Sequence, residues 1–344
     1  MTMWRRRAKQ ATLIAAAILF VSAAALTWLW NSRPDLDKIA WPSPVIASAA
    51  VTDSVTVTWL GVTTLLFDDG ETQILIDGFF SRPSLADLIF RRPVDNDAAM
   101  INFALDEYRM RRLAAIIPVH SHFDHAMDVG AIANRTSASV LGSESSAQIA
   151  RGAGVPEDQI TIAVGNRPYT FGRFTVTLMP SPHAPLGWRG SVPMRGTIDA
   201  PLTMPQPVSA WREGDSYSLV ISHPKGTTIV HGSAGFSRGS LRDIRADVVM
   251  LGVGGLTGLG RGYAEEYWQS LVTTTGVHSV YPIHFDDFTK PFGKIVPSPS
   301  FISNFETISE WLEAFRNTWD NDVQLFMLEF GRPVEIYAQP APEA

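Results

Sequence analysis

An apolar stretch lies close to the start of the chain. Residues 11–30 carry no charged side chain, and a helix that crosses a bilayer needs about 20 such residues. The preceding segment, residues 1–10, is basic, so the positive-inside tendency places it in the cytoplasm and the bulk of the chain on the extracytoplasmic side. This pattern predicts an uncleaved transmembrane anchor. Small residues at 22–25 leave a cleaved signal peptide as the alternative.

The pattern then divides the rest of the chain. Residues 31–54 are rich in Pro, Ser and Ala without lasting periodicity, which predicts a linker. Periodic segments run through residues 55–337, which we take as one domain, and residues 338–344 form a short tail.

Alternation marks the opening of that domain. Polar and apolar residues alternate over 55–59, and 64–67 and 73–76 continue as strands on either side of an Asp-Asp-Gly turn. Helical spacing over 98–112 precedes a buried, strand-like run at 114–117. The opening therefore predicts an antiparallel sheet followed by a helix and a central strand.

Strands and helices alternate downstream. The predicted helices are 128–135, 143–151, 263–273 and 303–317, and the predicted strands are 139–141, 160–164, 174–179, 217–222, 227–230, 246–251 and 279–283. Mixed sheets with helices outside indicate a layered α/β architecture.

The composition limits which partners and which metal ligands the chain can have. The 344 residues are 45% hydrophobic and 18% charged, which suits a sizeable core. The formal charge of -6 and the lack of basic runs beyond the N-terminus predict against nucleic acid as a partner. Cysteine is absent, so a metal ion would be held by His and carboxylates.

The strongest chemical signal follows the run at 114–117. His120, His122, Asp124 and His125 stand within six residues, although the chain has only 8 His. In extended backbone, side chains two apart face the same way, so His120 and His122 can share one ion. Asp124 and His125 follow the turn and can face a second ion. The alternative is a solvated polar turn.

This segment resembles the HxHxDH motif of the metallo-β-lactamase superfamily. The resemblance implies a four-layer αβ/βα sandwich, here preceded by one transmembrane helix, and a zinc-dependent hydrolase. It also implies two further ligands, His183 after the strand at 174–179 and His284 after the strand at 279–283. The alternatives are that His183 is a loop histidine and that His284 is a buried core histidine. Asp124 would also act in catalysis, by orienting the attacking hydroxide.

The opening at 57–67 and 74–80 resembles the N-acylphosphatidylethanolamine phospholipase D and ascorbate-phosphate lactonase branch, with two departures. Val62 stands where that branch has a His, and Ser233 stands at the position of the bridging Asp. Two zinc ions without a carboxylate bridge, or a single ion, are both compatible with this set, and Mn or Fe stays open.

Other residues are candidates for supporting roles. Asp77 could fix a ligand His, or could simply end a strand, and Ser233 and His231 could lie behind the ligands. Residues 186–209 could form a lid or substrate wall, or a structural insertion.

The function predicted from the resemblance is hydrolysis by metal-bound hydroxide of an ester, a lactone or a phosphodiester, with a small-molecule or phospholipid-like substrate. The N-terminal helix would attach the enzyme to the membrane. Alternatives are a non-catalytic metal-binding envelope protein, a β-lactamase-like amide hydrolase and di-iron redox chemistry. The sequence predicts no oligomeric state.

Overall fold

The computed structural model describes residues 3–46 and 54–337 of the chain. The predicted tail at 338–344, the end of the predicted linker at 47–53 and the first two residues lie outside the described residues.

Helix α1, Met3–Asn31, precedes the domain. Its part from Arg7 to Asn31, 25 residues long, contains an 18-residue window with a mean hydropathy of 2.2, and no residue of that window is buried in the rest of the chain. By length and composition this helix could cross a membrane. The segment Ser32 to Pro34 ends it, because proline cannot continue a helix.

The domain contains eight further helices and 16 strands within the described residues. Helices α2 to α9 are Leu85–Ile89, Ala98–Glu107, Phe123–Ala126, Val129–Thr136, Glu144–Gly152, Leu256–Leu259, Arg261–Trp268 and Phe305–Trp319. Strands β1 to β9 are Thr56–Trp59, Leu65–Asp68, Gln73–Ile76, Pro93–Val94, Leu113–Ile117, Ser139–Gly142, Ile160–Ile162, Pro168–Phe171 and Phe174–Pro180. Strands β10 to β16 are Gln206–Pro207, Tyr217–His223, Gly226–His231, Val248–Gly252, Ser279–Ile283, Gln324–Leu325 and Pro333–Glu335.

Two mixed sheets of seven strands each form the centre. The first has the order β16-β1-β2-β3-β5-β6-β7, and the second has the order β15-β14-β13-β12-β11-β9-β8. Each sheet has an antiparallel part and a parallel part, with β3, β5, β6 and β7 parallel in the first and β12 to β15 parallel in the second.

Side-chain alternation explains how the sheets stack. Ile74 and Ile76 of β3 belong to the core between the sheets, whereas Leu75 belongs to a second core outside the first sheet. In that outer core Leu75 packs with Ile101 of α3 and Ile132 of α5. Because both faces of the strand are covered, its sequence is a continuous apolar run.

Helices also cover the second sheet. Trp268 at the end of α8 and Phe315 of α9 belong to its core, with ring centroids 6.3 Å apart. The architecture is therefore an α/β sandwich with two central mixed sheets and helices on the outside, which confirms the fold class at this level.

Some predicted boundaries are wrong. The helix predicted over 98–112 ends at Glu107, because Tyr108 caps it and Arg109 adopts a left-handed φ of 50°. Strands β4, β8, β10, β15 and β16 are not predicted from the sequence. Each has two to four residues, and β8, β15 and β16 lie at the edges of the two large sheets, where they pair with one neighbour.

The predicted linker lies along the domain where it is described. Arg33 forms an ion pair with Asp287 at 2.8 Å, and Trp41 Nε1 donates to a carboxylate oxygen of Glu313 at 2.8 Å. Ile46 pairs with β16 in an isolated bridge. These contacts fix the end of α1 relative to the domain.

Candidate metal centre

All six candidate ligands follow strands, and the two sheets bring them together. His120 follows the parallel strand β5, His284 directly follows the parallel strand β14, and His183 comes three residues after β9. Parallel strands expose their carboxyl ends at one edge of a sheet, which is where α/β proteins place their sites. The ligands form two groups.

The first group is His120, His122 and His183. One nitrogen from each residue lies within 4.8 Å of the others, and the separation of His120 Nε2 and His122 Nδ1 is 3.0 Å. The rings of His120 and His122 are both within 5 Å of the ring of His183, at centroid distances of 4.8 and 4.9 Å. The three imidazoles therefore converge on one point.

Backbone carbonyls orient two of these rings. His122 Nε2 donates to the carbonyl of Pro193 at 2.9 Å, and His183 Nδ1 donates to the carbonyl of Ala184 at 2.8 Å. In the neutral imidazoles the other nitrogens, His122 Nδ1 and His183 Nε2, then carry lone pairs. Such second contacts of ligand histidines fix the tautomer and the ring orientation.

The second group is Asp124, His125 and His284. Asp124 Oδ2 lies 3.6 Å from His125 Nε2 and 3.5 Å from His284 Nε2. The rings of His120 and His125 are 3.9 Å apart between centroids, so the two groups are adjacent. The short motif thus serves both groups, as the alternation of its side chains predicts.

Asp77 lies behind the second group. It is fully buried at the end of β3, and its Oδ2 accepts a hydrogen bond from His125 Nδ1 at 2.7 Å. Its Oδ1 accepts from the backbone N–H of Val119 at 2.8 Å. Asp77 therefore orients His125 and also ties the motif to the neighbouring strand.

Burial keeps the first group neutral. Desolvation lowers the pKa of His122 to about 4 and that of His183 to about 3, and it lowers the pKa of His120 well below its ordinary value. Neighbouring histidines add to the effect on His120. At neutral pH these imidazoles are unprotonated, which is the form that binds a metal ion.

The second group differs because it contains a carboxylate. Burial acts to raise the pKa of Asp124, but His125 and His284 outweigh it and the pKa lies well below its ordinary value. For His125, burial is outweighed by Asp124 and Asp77, which raise the pKa. Asp124 is therefore a buried anion, and it attracts positive charge.

The donor set fits divalent cations. Zinc at about 2.0–2.1 Å from two imidazole nitrogens in tetrahedral geometry separates them by about 3.3 Å, close to the spacing within each group. Three His with an open position, and a carboxylate with two His, are both ligand sets that zinc accepts.

A backbone clamp holds His284. Its N–H donates to the carbonyl of Val62 at 3.0 Å, and the N–H of Val62 donates to Asp286 Oδ1 at 2.8 Å. Asp286 also forms a buried ion pair with Arg82 at 3.5 Å. Neither Asp286 nor Arg82 is predicted from the sequence, although a carboxylate two residues after the candidate ligand His284 is a signal for a supporting residue.

Backbone strain concentrates at the same place. Val62, Asp77 and His284 have φ values of 49°, 59° and 61°, and Val62 is β-branched, a type for which positive φ is a true outlier. Such strain persists where the surrounding structure determines the conformation, as in a site that must hold a ligand in place. Val62 therefore contributes to the site through its backbone atoms.

Ser233 and His231 lie behind His183. Ser233 Oγ accepts a hydrogen bond from the N–H of Ala184 at 2.8 Å. Both ring nitrogens of His231 are engaged, with Ser218 Oγ at 2.7 Å and the carbonyl of Gly235 at 2.5 Å. A Cβ on Gly235 would lie 2.2 Å from the Pro182 carbonyl oxygen, so this turn packs tightly against the chain that carries His183.

The other histidines lie elsewhere. His223 is buried beside Asp69, 3.4 Å from its carboxylate, and His278 is exposed. In the segment 186–209, Arg189 and Arg195 are exposed, but Pro193 contacts His122 as described above. This segment is therefore part of the wall of the centre.

No family model matches the chain. A curated protein of Heliobacterium modesticaldum, described as a UPF0173 metal-dependent hydrolase, is 31% identical over 121 residues, which are 35% of this chain and 43% of that protein. The match therefore spans less than half of the relative's length.

Solved structures match over a longer range. A possible metal-dependent hydrolase from Veillonella parvula has a TM-score of 0.50 and 14% identity, covering 82% of this chain and 99% of that one. The chain has a metallo-hydrolase fold. Igni18, described as a novel metallo hydrolase from Ignicoccus hospitalis, has a TM-score of 0.48 and 17% identity, covering 82% of this chain and 97% of its own. The narrower resemblance to the phospholipase D and lactonase branch stays a prediction.

Replacing Asp77 with asparagine tests how this metallo-hydrolase fold supports its second ligand group. The amide keeps the shape but loses the charge that faces His125, so we expect affinity for a metal ion at Asp124, His125 and His284 to fall by about 10–100-fold. Binding to the three-His group should change little. Titration of the metal-free protein with Zn²⁺ by calorimetry measures both.

The matched control is Asp320→Asn, which alters a carboxylate that accepts hydrogen bonds from Trp268 and Thr273 outside the centre. Equal weakening of both ligand groups in Asp77→Asn would indicate a general folding defect and contradict the positioning role.

Proposed function

We propose that the protein is a zinc-dependent hydrolase whose centre holds two ions. The observation that carries the proposal is the convergence of six ligand side chains in two adjacent groups, each with the composition that zinc accepts. The metallo-hydrolase fold and the partial identity to a metal-dependent hydrolase support the same activity.

Each group of three ligands would hold one ion. His120, His122 and His183 would hold the first ion, and Asp124, His125 and His284 the second. Bound zinc supplies Lewis-acid polarisation of a carbonyl or phosphoryl oxygen and a water acidic enough to provide the nucleophile near neutral pH. Asp124 would also orient the attacking water through its carboxylate. Pro193, Ala184 and Asp77 keep three of the rings fixed, so these three ligands would not have to reorganise during turnover.

Two ions are favoured over one. The second group offers a buried carboxylate and two imidazoles with suitable spacing, so its three donors suffice without a bridging carboxylate. Ser233, at the bridging position of the resembling family, is engaged with the backbone next to His183.

The wall of the centre suggests the substrate class. Trp188 is 83% exposed and Leu186 is 42% exposed, and both follow His183 on a segment tied to the centre through Pro193. Exposed apolar side chains beside a site offer contact to an apolar part of a ligand. We therefore propose an ester, a lactone or a phosphodiester with an apolar group, including phospholipid-like molecules.

We also propose that α1 anchors the enzyme in a membrane, with the domain on the extracytoplasmic side. The length and hydropathy of the helix and its lack of buried surface support anchoring. The basic residues before the apolar stretch support the orientation. A lipid or a membrane-near small molecule is then the natural substrate.

A substrate panel tests the activity. The full chain, purified in detergent with zinc, should hydrolyse at least one of an activated phosphodiester, an acyl ester, a lactone and a cephalosporin. Removal of metal with a chelator should abolish that hydrolysis, and added Zn²⁺ should restore it. Hydrolysis that persists in the chelated protein would contradict the proposal. Metal binding without turnover of any panel member would favour the non-catalytic alternative.

A further inference from the structure

The loop between β14 and α9, residues 284–304, is attached to the C-terminal end of α1. The N–H of Ser300 donates to the carbonyl of Ser32 at 2.9 Å, and the rings of Trp30 and Phe301 are 6.1 Å apart between centroids. Near the start of the loop, Asp287 pairs with Arg33 at 2.8 Å, as described above. These contacts hold the loop beside the last turn of the helix.

The loop exposes apolar side chains there. Phe301 is 59% exposed and Ile302 is 44% exposed, and the neighbouring helix end exposes 69% of Trp28. Aromatic rings are enriched at the level where a membrane meets water, because they combine an apolar body with tolerance of the headgroups. The apolar surface is therefore continuous from the helix end to the loop.

The loop also carries two lysines, of which Lys294 is exposed and Lys290 is partly exposed. Lys290 and Lys294 line a cavity of about 410 Å³ together with Asn31 and Arg33. Neither ammonium group forms an ion pair within the part of the chain that the structure describes. The two lysines are available to an outside anion.

The carboxylates of the loop are buried. Its only carboxylates are Asp286 and Asp287, which are 4% and 6% exposed and pair with Arg82 and Arg33. Beyond the loop, Glu306 is partly exposed and Glu310 is exposed on α9, and the first exposed acids after α1 are Asp35 and Asp37. The formal charges that the loop itself presents to solvent are therefore positive.

We propose that this loop docks on the headgroups of anionic phospholipids in the leaflet from which the end of α1 emerges. If α1 spans the bilayer, its last turn lies at headgroup level, and so do the loop residues in contact with it. Phe301 and Ile302 then enter the interface, and Lys290 and Lys294 meet lipid phosphates or carboxylates. The inference rests on the anchoring role of α1 proposed above.

Docking would orient the metal centre. The loop starts at the ligand His284 and includes Asp286, which is tied to Val62. Contact of the loop with the bilayer therefore sets the height and the tilt of the centre above the headgroups. A substrate embedded in, or released from, the same leaflet would meet the centre at a fixed distance.

Single labels test the contact, because the chain has no cysteine of its own. Trp28→Cys, Phe301→Cys and Phe103→Cys each receive an environment-sensitive fluorophore in the full chain. Phe103 is 50% exposed on α3 and serves as a control on the domain. Each protein is reconstituted in nanodiscs of phosphatidylcholine with phosphatidylserine, and emission and quenching by aqueous iodide are measured.

The inference predicts blue-shifted, iodide-protected labels at 28 and 301 and a water-exposed label at 103. A protected label at 28 with a water-exposed label at 301 overturns the docking loop and leaves the anchor intact. Water-exposed labels at both positions overturn the anchor and the docking together.

A charge reversal isolates the lysines. In the Phe301→Cys background, Lys290→Glu with Lys294→Glu should lower the ratio of docked to undocked protein by at least about 25-fold, since each basic residue near an anionic surface contributes about fivefold. The control reverses Arg238 and Arg242, which are exposed and lie outside the loop, and should leave the ratio unchanged. An unchanged ratio in the lysine variant contradicts the role of anionic lipid.

Discussion

Replacing His122 with alanine is expected to lower hydrolytic turnover by at least about 10³-fold. The reason is that metal ions contribute several kcal/mol to the transition state, and each 1.36 kcal/mol corresponds to a factor of ten in rate. His122 faces His120 at 3.0 Å, so its loss leaves the first ion with two imidazoles. The measurement is steady-state hydrolysis of the best panel substrate, together with the metal content of each protein.

The matched control is His278→Ala, because this histidine is exposed and lies outside both ligand groups. It should keep full activity. Circular dichroism shows whether the His122 variant is folded, and a folded variant with undiminished turnover is incompatible with a catalytic first site.

Replacing Asp124 with alanine is expected to remove the second ion selectively. Asp124 is the only anionic side chain among the six ligands, and it lies within 3.6 Å of both partner nitrogens. Without it, two neutral imidazoles remain for a divalent cation, and affinity should fall by more than about 100-fold, beyond the loss expected when only the hydrogen bond from Asp77 to His125 is altered. The metal content should drop from about two ions to about one per chain.

Asp124→Asn separates charge from shape. It keeps an oxygen in place but lacks the negative charge, so its metal content should also approach about one ion. A content that stays at about two in both variants would contradict the role of Asp124 as a ligand of the second ion. A content that falls to zero would mean that the two groups do not bind independently.

Local patterns made much of this fold predictable. The run at residues 73–76 predicts a strand, and the structure shows a strand there with a different core on each of its faces. The spacing of His120, His122, Asp124 and His125 likewise follows from the geometry of a strand end and a turn. Both features depend on residues close in sequence, which is why the sequence reveals them.

The supporting contacts depend on residues far apart in sequence. Val62 reaches Asp286 and His284 across more than 220 positions, and it does so with backbone atoms that carry no sequence signature. The positive φ of Val62 also cannot be predicted from the sequence, because a β-branched residue disfavours it. The contact of His122 with Pro193 depends on the path of a long loop, which the sequence does not specify.

The N-terminal region also combines a helix that the sequence predicts with packing contacts that it does not predict. Length and hydropathy identify α1 as a helix able to cross a membrane. The proline-rich segment after it has no periodicity, and the sequence therefore predicted a linker. Its packing depends on single contacts, such as those of Arg33 and Trp41 with the domain.

X-ray diffraction at the zinc absorption edge tests the central claim most directly. Crystals of the protein purified with zinc should give two anomalous peaks, one among His120, His122 and His183 and one among Asp124, His125 and His284. Peaks at both positions are the predicted result. The absence of any peak between these side chains, in crystals whose protein contains zinc by elemental analysis, would contradict the account.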